Sequence, residues 1–290
     1  MPNTLGQSYL ETSVWKPDLF KGKVAFITGG AGTICRVQAE ALVLLGANVA
    51  IIGRRPEVTQ KAADEIAQLR PGAKVIGIGG VDVRNIELLK KAVDQTVAEF
   101  GRIDYVVAGA AGNFLASFNQ LSSRAFKSVI DIDLIGSYNT AKVTAEELKK
   151  TKGQYIFISA SLHYTGTPFQ THVAAAKAGV DALSNNLAIE LGPFGIRSNV
   201  ICPGPIQGTE GLSRLIPDEA EKNSLKSIPL NKFGRTQDIA DATIFLFSPA
   251  ANYISGTTVV VDGAHWRTAG GLGGLYPEAV ISANSGVSKL

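Results

Sequence analysis

The chain has 290 residues, of which 45 % are hydrophobic and 18 % charged, a balance that predicts one folded domain with a sizeable core and argues against extensive disorder. A net charge of +3 lacks the clustered basic residues typical of nucleic-acid-binding proteins, so we expect no nucleic-acid partner. The two cysteines favour a reducing compartment over a disulfide framework or a metal site, and neither a membrane-spanning apolar run nor a signal-peptide pattern is found.

Strand-like apolar runs alternate with helix-length segments along most of the chain. The predicted strands are 24–28, 48–53, 74–80, 103–109, 154–159, 197–202 and 257–261. The predicted helices include 34–46, 57–70, 85–100 and 122–150. Continuous apolar strands separated by helices are typical of a parallel sheet that is covered on both faces. We therefore predict a single doubly wound α/β domain over residues 21–264, with an N-terminal extension at 1–20 and a C-terminal extension at 265–290.

A glycine-containing turn, TGGAGTIC at 28–35, joins the first strand to the first long helix. Gly29, Gly30 and Gly32 would let phosphates approach the backbone, and the N–H groups of Thr33 and Ile34 would bind a pyrophosphate at the helix N-terminus. The last glycine of the usual pattern is replaced by Cys35. Cysteine is small, so the close packing of helix and strand is strained and not excluded. The turn alone is weak evidence, because many glycine-rich turns bind nothing.

The tips of the second and third strands carry further cofactor candidates. Arg54 and Arg55 follow the second strand, where no acidic residue is present. Arginine there accommodates the 2′-phosphate of NADP, so NADP is favoured over NAD, the alternative being a solvated charge pair. After the third strand, Asp82 would accept a hydrogen bond from adenine and Val83 would face the ring. Alternatively or in addition, Asp82 caps the next helix.

Together these features resemble the short-chain dehydrogenase/reductase family from about Lys21 to Gly263. The resemblance lies in the loop from Thr28, DV at 82–83, PGPI at 203–206 and GTTVVVDG at 256–263. It implies a Rossmann-type, seven-stranded parallel sheet, a dimer or tetramer, and nicotinamide-dependent reduction of a carbonyl. It also implies an Asn–Ser–Tyr–Lys catalytic set, in which tyrosine and lysine are spaced as Tyr-x-x-x-Lys.

The sequence departs from that catalytic set. Aligning HVAAAKAGVDALSNNL places Lys177 at the lysine position and Val173 at the tyrosine position, one helical turn apart on the same face. Ala160 takes the serine position between Ser159 and Ser161, and Asp133 replaces the asparagine. The general acid of carbonyl reduction is therefore missing from its usual place.

Two interpretations follow: a binding protein without activity, or a reaction that does not need the tyrosine. Reduction of a ketone leaves a basic alkoxide and needs an acid at oxygen. Conjugate reduction of an unsaturated thioester needs hydrogen bonds to the thioester oxygen and a proton source near the α-carbon. Three stretches, AAGNF at 110–114, HVAAAKAG at 172–179 and PGPIQGTEGLSRL at 203–215, resemble the 2,4-dienoyl-CoA reductases of the peroxisomal type.

That resemblance assigns expected roles. Lys177 would bond the nicotinamide ribose and lower the pKa of a nearby donor, and Asp133 with the lysine would orient a water that protonates the α-carbon. The alternatives are a surface lysine and a structural aspartate. Residues Pro203, Gly204 and Ile206 would position the nicotinamide side of NADPH.

An acyl-CoA substrate carries several phosphates, for which Arg54, Arg84 and Arg214 are candidates, each being otherwise an exposed arginine. Phe114 would flank the acyl chain or pack under its loop, and 206–228 has the composition of a mobile substrate lid. Tyr164 would line the pocket or, in a rival enzyme acting on an enoyl or carbonyl substrate, supply the relocated acid.

Two histidines near this region are given no catalytic role. His163 lies beside Tyr164, and His172 is interpreted as a residue of the helix start. The terminal tripeptide Ser288–Lys289–Leu290 matches the peroxisomal address and predicts an import receptor as partner and the peroxisome matrix as location. An ordinary polar tail is the alternative.

Overall fold

The computed structural model describes residues 4–6, 8–209, 225 and 227–268. Within them a seven-stranded sheet has the order β3-β2-β1-β4-β5-β6-β7, with every neighbouring pair parallel. The strands are β1 (Val24–Thr28), β2 (Asn48–Ile52), β3 (Val75–Ile78), β4 (Tyr105–Ala108), β5 (Gln154–Ile158), β6 (Arg197–Pro203) and β7 (Thr258–Val261). All seven predicted strands and the doubly wound fold class are confirmed, with bounds that differ by two residues at most.

Helices cover both faces of this sheet. They are α1 (Ser8–Thr12), α2 (Thr33–Leu44), α3 (Pro56–Ala67), α4 (Ile86–Phe100), α5 (Ser123–Val129), α6 (Gly136–Thr151), α7 (Leu162–Thr165), α8 (Thr171–Leu191) and α9 (Thr236–Phe247). The four predicted helices are confirmed, but 122–150 is not one regular α-helix. A π-helical stretch, Ile130–Ile135, separates α5 from α6, and such stretches are frequent at functional sites.

The core consists of two layers because successive side chains of a strand point to opposite faces. In β1, Ala25 and Ile27 belong to the layer under α2, α3 and α9, whereas Phe26 belongs to the layer under α4, α6 and α8. All five residues of β1 are buried. Strand β1 therefore has no solvent-exposed face, as the continuous apolar runs predict for a parallel sheet.

The N-terminal segment packs onto the first of these layers. Leu5, Tyr9 and Phe20 are buried in it, and Asp241 of α9 accepts hydrogen bonds from the Tyr9 hydroxyl (2.8 Å) and Trp15 Nε1 (3.1 Å). The predicted division into a domain and two extensions stays a prediction. Among the helices of the described ranges, none combines the length and apolarity needed to cross a bilayer.

Candidate active site at the switch in strand order

The predicted site residues cluster where the strand order reverses. β1 pairs with β2 on one side and β4 on the other, and the register brings Thr28 beside both Ile52 and Ala108. The loops that follow these three strand ends therefore meet at one edge of the sheet. In open α/β sheets this crevice at the carboxyl ends is where ligands bind.

The glycine turn needs its glycines for two distinct reasons. Gly29 has φ +71°, a conformation that side-chain-bearing residues rarely adopt. At Gly30 a Cβ would lie 2.6 Å from the Ile51 side chain, so only glycine allows the turn to close onto β2. Gly32 is the N-cap of α2 and offers no side-chain acceptor. The first N–H groups of α2, from Thr33 onward, have no intrahelical acceptor and are available to an anionic ligand.

Cys35 fits at the replaced glycine position because a second glycine lies opposite. The Cys35 sulfur would be only 2.2 Å from a Cβ built on Gly109, at the end of β4. Helix α2 therefore still packs closely on the sheet, because the glycine that provides the space is Gly109 at the end of β4 and not a residue of the helix. Burial raises the pKa of the Cys35 thiol to about 12, so the thiol stays protonated and serves as a packing group.

The two arginines after β2 are solvent-exposed. Arg55 is the N-cap of α3, and among the described residues neither Arg54 nor Arg55 forms a salt bridge. Two unpaired guanidinium groups at this strand tip suit a phosphate in chemistry. Their cofactor role stays a prediction.

Asp82 does not cap the following helix, so that alternative is wrong. Asn85 is the N-cap of α4, and its side chain accepts from the N–H groups of Glu87 and Leu88. Asp82 instead accepts three hydrogen bonds from the Arg84 side chain, of 2.6–3.1 Å, and one from its backbone N–H. These bonds hold the pKa of Asp82 below its usual value. The Arg84 guanidinium is therefore already hydrogen-bonded to Asp82. Its predicted contact with acyl-CoA requires that these hydrogen bonds break.

Val83 is placed in the core. Its side chain is buried and its Cγ2 lies 2.5 Å from where a Cβ of Gly136 would be. The Asn139 side chain donates to the Val83 carbonyl oxygen at 3.0 Å. The Val83 side chain fills the space that Gly136 leaves, and its contact with an adenine ring stays a prediction.

Asp133 lies in the π-helical stretch with 1 % of its surface exposed. Its Oδ1 accepts a 2.7 Å hydrogen bond from the backbone N–H of Gly112, in the loop after β4. The π-helix thus turns this carboxylate toward the strand edge and joins it to the predicted acyl-site loop.

Lys177 and Asp133 form a buried ion pair. Lys177 Nζ lies 3.0 Å from Asp133 Oδ2, with 8 % and 1 % of the two side chains exposed. The ammonium group also donates a 3.0 Å hydrogen bond to the carbonyl oxygen of Ile158 at the end of β5. Asp133 Oδ2 has no aligned hydrogen bond with a described residue, so its contact with Lys177 is electrostatic. Isolated buried charges are costly, and pairing offsets part of that cost.

Val173, at the tyrosine position of the family pattern, has apolar surroundings. Val173 is buried in a small cluster with Val129 and Ala176. The place that the family pattern gives to tyrosine is thus filled by packed hydrocarbon. At the serine position, Ala160 offers only its carbonyl oxygen, which lies 2.6 Å from His163 Nδ1.

Tyr164 is tied to a carboxylate below the site. Its hydroxyl donates to Asp181 Oδ2 at 2.5 Å, and His163 Nε2 lies 3.0 Å from the same oxygen. Burial and the hydrogen bond to Asp181 raise the pKa of Tyr164 well above its usual value. A tyrosine so held is a poor proton donor, which argues against the relocated acid. That its ring lines the pocket stays a prediction.

Phe114 is 36 % exposed and joins the loop after β4 to the start of α8. Its ring lies 4.2 Å from that of His172, and its carbonyl oxygen accepts from Gln170 Nε2 at 3.3 Å. The half-exposed ring is consistent with the predicted acyl contact.

The nicotinamide-side candidates lie after β6. Gly204 donates its N–H to the Val261 carbonyl, and a Cβ there would be 2.3 Å from the Asp262 Cβ, so the strand end requires glycine. Pro203 ends β6, and Ile206 is buried and bridges to Gly234. Arg214, most of the predicted lid at 206–228 and the tripeptide 288–290 lie outside the described residues.

Several contacts of the site were not predicted. Gly109, Gln170 and Asp181 were given no role, and His172 was interpreted as a helix-start residue. Nothing in local spacing marks these residues, since their partners lie 17 to 74 positions away. The only available signal was their proximity to strand ends and to the Lys177 motif.

The fold and the site define a class, the Rossmann-type oxidoreductases that use a nicotinamide cofactor. The model of the family described as enoyl-(acyl carrier protein) reductase matches residues 29–264. The chain belongs to the short-chain dehydrogenase/reductase family, as the sequence motifs predict.

Individual relatives show which members of the family the chain is similar to. The chain is 57 % identical over 283 residues, 97 % of each chain, to the (3E)-enoyl-CoA-producing peroxisomal 2,4-dienoyl-CoA reductase of Saccharomyces cerevisiae. It is 43 % identical to the enzyme of that name from Arabidopsis thaliana, over 88 % of each chain. Among solved structures, a short-chain type dehydrogenase/reductase from Mycobacterium ulcerans superposes with a TM-score of 0.85 at 27 % identity, covering 93 % of this chain and 99 % of that one.

Proposed function

We propose that this protein is an NADPH-dependent reductase that converts 2,4-dienoyl-CoA to 3-enoyl-CoA in the β-oxidation of unsaturated fatty acids. The observation that carries the proposal is the buried Lys177–Asp133 pair beside a packed valine at the tyrosine position. The relatives named peroxisomal 2,4-dienoyl-CoA reductases support the same reaction.

Conjugate reduction suits a site without the tyrosine. When bound, NADPH would supply the hydride that the far carbon of the conjugated diene accepts. Negative charge then spreads to the thioester oxygen, and the proton is finally added to the α-carbon. The protein has to stabilise a delocalised charge and provide a proton near carbon, and it does not have to protonate an alkoxide.

Lys177 and Asp133 divide these tasks. The Lys177 ammonium lies at the strand edge, where it would bond the nicotinamide ribose and add positive potential near the developing charge. Asp133, held by Gly112 N–H and Lys177, would orient the water that protonates the α-carbon. An ionised carboxylate has only acceptors, so Asp133 positions that water and does not itself supply the proton.

NADPH is proposed over NADH because of the second strand tip. Arg54 and Arg55 are exposed there, no acidic residue stands at the strand tip, and guanidinium groups fit a ribose 2′-phosphate. The pyrophosphate would lie at the N-terminus of α2, next to Gly32 and Thr33, where a glycine N-cap leaves the backbone open.

The acyl-CoA would approach from the side of the β4 loop. Phe114 would contact the acyl chain, and Arg54 and Arg84 would meet the CoA phosphates, with Arg84 exchanging Asp82 for a phosphate oxygen. We place the reaction in the peroxisome, in agreement with the names of the relatives, and expect a homodimer or homotetramer. Removing Ser288–Lys289–Leu290 from a fluorescent fusion tests the proposed import signal, and size-exclusion chromatography with light scattering tests the assembly.

The deciding experiment mixes purified protein, NADPH and a short 2,4-dienoyl-CoA and follows both chromophores at once. We expect equimolar loss of NADPH and of the conjugated diene, and a 3-enoyl-CoA product by mass spectrometry and NMR. A protein that binds NADPH but consumes neither chromophore would contradict the proposal and leave a silent nucleotide-binding protein.

A matched pair of variants tests the site within that assay. Lys177→Ala removes the buried ammonium and should lower kcat by about 100-fold or more. Lys142→Ala removes an exposed lysine of α6 and should leave kcat unchanged. Equal activity of the two variants would contradict the role of Lys177.

A further inference from the structure

The imidazole of His163 is held at both of its nitrogens by groups that accept hydrogen bonds. Nδ1 lies 2.6 Å from the carbonyl oxygen of Ala160, and Nε2 lies 3.0 Å from Asp181 Oδ2. Only 8 % and 13 % of the His163 and Asp181 side chains are exposed, so their contact is largely shielded from water. An imidazole that donates from both nitrogens is protonated. The geometry therefore fits an imidazolium that is paired with a carboxylate.

Asp181 is well placed to anchor that imidazole. It lies on α8, four positions after Lys177 and on the same face of the helix. Burial raises the pKa of Asp181, but hydrogen bonds from His163, Ser159 and Tyr164 outweigh burial and hold the pKa below its usual value. The helix that carries the buried ammonium group thus also holds the imidazole, through a charge-assisted hydrogen bond.

The other side of the imidazole holds one peptide unit. The carbonyl oxygen of this unit belongs to Ala160 and faces His163 Nδ1. Its N–H group belongs to Ser161 and donates to the carbonyl oxygen of Pro203 at 3.1 Å. Both polar groups of the peptide are therefore hydrogen-bonded, one to a side chain of α7 and the other to the end of β6.

This peptide lies between two parts of the candidate site. Two positions before Ala160, the carbonyl oxygen of Ile158 accepts the hydrogen bond from Lys177 Nζ. On the other side, the Ser161 N–H reaches the Pro203–Gly204 turn, which is proposed to position the nicotinamide side of NADPH. Hydrogen bonds therefore run from α8, through the imidazole and the peptide, to this turn.

The proposed reaction makes the orientation of this peptide important. Position 160 carries alanine, so its polar groups are those of the backbone alone. A carbonyl oxygen that could turn toward the substrate would oppose the negative charge that spreads to the thioester oxygen, because like charges repel. Alignment of the hydride donor matters as well, since a misplacement of about 1 Å can cost about 100-fold in rate.

We propose that His163, anchored by Asp181, is a positioning residue that fixes the peptide between Ala160 and Ser161. Through this peptide it holds the Pro203–Gly204 turn, against which the nicotinamide would bind. In this role neither His163 nor Asp181 touches a reacting atom, and neither gives up a proton. The inference rests on the proposed function and adds to it the residues that align the hydride donor.

Amide hydrogen exchange of the cofactor-free protein tests these hydrogen bonds. His163→Phe keeps a ring beside Tyr164, whose ring centroid lies 4.0 Å from that of His163, and removes both nitrogens. We expect peptides covering 157–165 and 199–207 to exchange about fivefold faster or more, which corresponds to one lost hydrogen bond, with the other strands unchanged. Wild-type exchange in both peptides would overturn the inference. A uniform increase over all seven strands would also overturn it, because that marks global destabilisation.

Single-turnover kinetics test the effect on hydride transfer. At saturating NADPH and short 2,4-dienoyl-CoA, His163→Phe should slow the loss of NADPH absorbance about 10- to 100-fold. Its Kd for NADPH should stay within about threefold, because the proposed phosphate sites are untouched. A merely structural role would change the Kd or the folded fraction and leave the saturated rate as in wild type. That result would overturn the inference.

Further variants test whether the two residues act as one unit. Asp181→Asn removes the charge of the anchor and should slow hydride transfer less than His163→Phe does. The double variant should be no slower than His163→Phe, because both changes break the same chain of hydrogen bonds; losses that multiply would overturn the inference. His163→Gln keeps N–H donors and should recover part of the rate. Lys150→Ala, which removes an exposed ion pair with Glu147, is the control and should behave as wild type.

Folding and the parent reaction are checked separately. Thermal unfolding shows whether each variant is folded. If His163→Phe does not fold, hydrogen exchange and single-turnover kinetics of Asp181→Asn decide, and wild-type values would overturn the inference. If wild-type protein consumes no dienoyl-CoA, the proposed function fails. If wild type is active and the His163 variants behave as wild type, only the role of His163 fails.

Discussion

The contact between Cys35 and Gly109 allows a quantitative test of how α2 approaches the sheet. A Cβ at Gly109 would lie 2.2 Å from Cys35 Sγ, whereas ordinary contacts begin at 3.4 Å. The Gly109→Ala substitution therefore demands a shift of about 1.2 Å, the difference between these two distances. Overpacking of this kind costs about 1–3 kcal/mol. The first turn of α2 carries the proposed pyrophosphate site, so NADPH affinity should fall as well.

The double-mutant cycle with Cys35→Gly isolates this contact. Cys35→Gly alone costs about 1 kcal/mol or somewhat more, from a glycine inside a helix and from lost burial. In the Cys35→Gly background the sulfur is absent, so Gly109→Ala should cost about 1–2 kcal/mol less than in wild type. The double variant should also recover NADPH affinity relative to Gly109→Ala.

Urea unfolding and NADPH titration of the four proteins measure both effects. The single variant Gly109→Ala should lose a few degrees in Tm, at about 2–4 °C per kcal/mol for a chain somewhat smaller than this one. An equal cost of Gly109→Ala in both backgrounds would refute the reasoning, because it would mean that the sulfur does not limit the space at Gly109.

Three further predictions concern the cofactor, the acid and the pH dependence of stability. Replacing Arg54 and Arg55 by Glu should raise the Kd for NADPH at least about tenfold, because the 2′-phosphate then faces like charge, and leave the Kd for NADH within about threefold; equal losses for both cofactors would contradict the assignment. Tyr164→Phe should keep kcat within about threefold, because the Tyr164 hydroxyl donates its hydrogen bond to Asp181. A loss of about 100-fold would instead support the hypothesis that Tyr164 is the general acid. The depressed pKa of His172 means that the unfolded chain binds a proton near pH 6.5 while the folded protein does not. Stability should therefore fall as pH drops from about 7 to about 5, and His172→Phe should lose less over that interval in thermal unfolding.

The sequence was informative wherever a local pattern reflects a local constraint. The apolar runs predict all seven strands because a parallel sheet buries both faces of each strand. The glycines at 29 and 30 predict the turn because each is required by backbone geometry or by the approach of Ile51. Lys177 and Asp133 were assigned together through the resemblance to the family pattern, and the structure pairs them, one from α8 and one from the π-helical stretch.

Contacts between distant segments were not predictable in this way. Asn85 and Asp82 both have the chemistry of an N-cap, and only the backbone conformation decides that Asn85 caps α4. Val83 lies in the core because Gly136, 53 positions later, leaves space for it. The burial of His172 and the commitment of Tyr164 to Asp181 likewise depend on the packing of α8, which no spacing rule specifies.

The docking of the N-terminal segment has a consequence for the order in which the protein is assembled. Tyr9 and Trp15 bond to Asp241, and Gln38 of α2 donates at 2.7 Å to Thr243, over sequence separations of more than 200 residues. During synthesis, Tyr9, Trp15 and Gln38 therefore lack these hydrogen-bond partners until α9 has left the ribosome. Contacts of such long range slow folding, and the helix that carries the proposed cofactor turn lacks part of its packing until α9 is present. A nascent chain that stops short of α9 should accordingly bind NADPH more weakly than a chain that includes it.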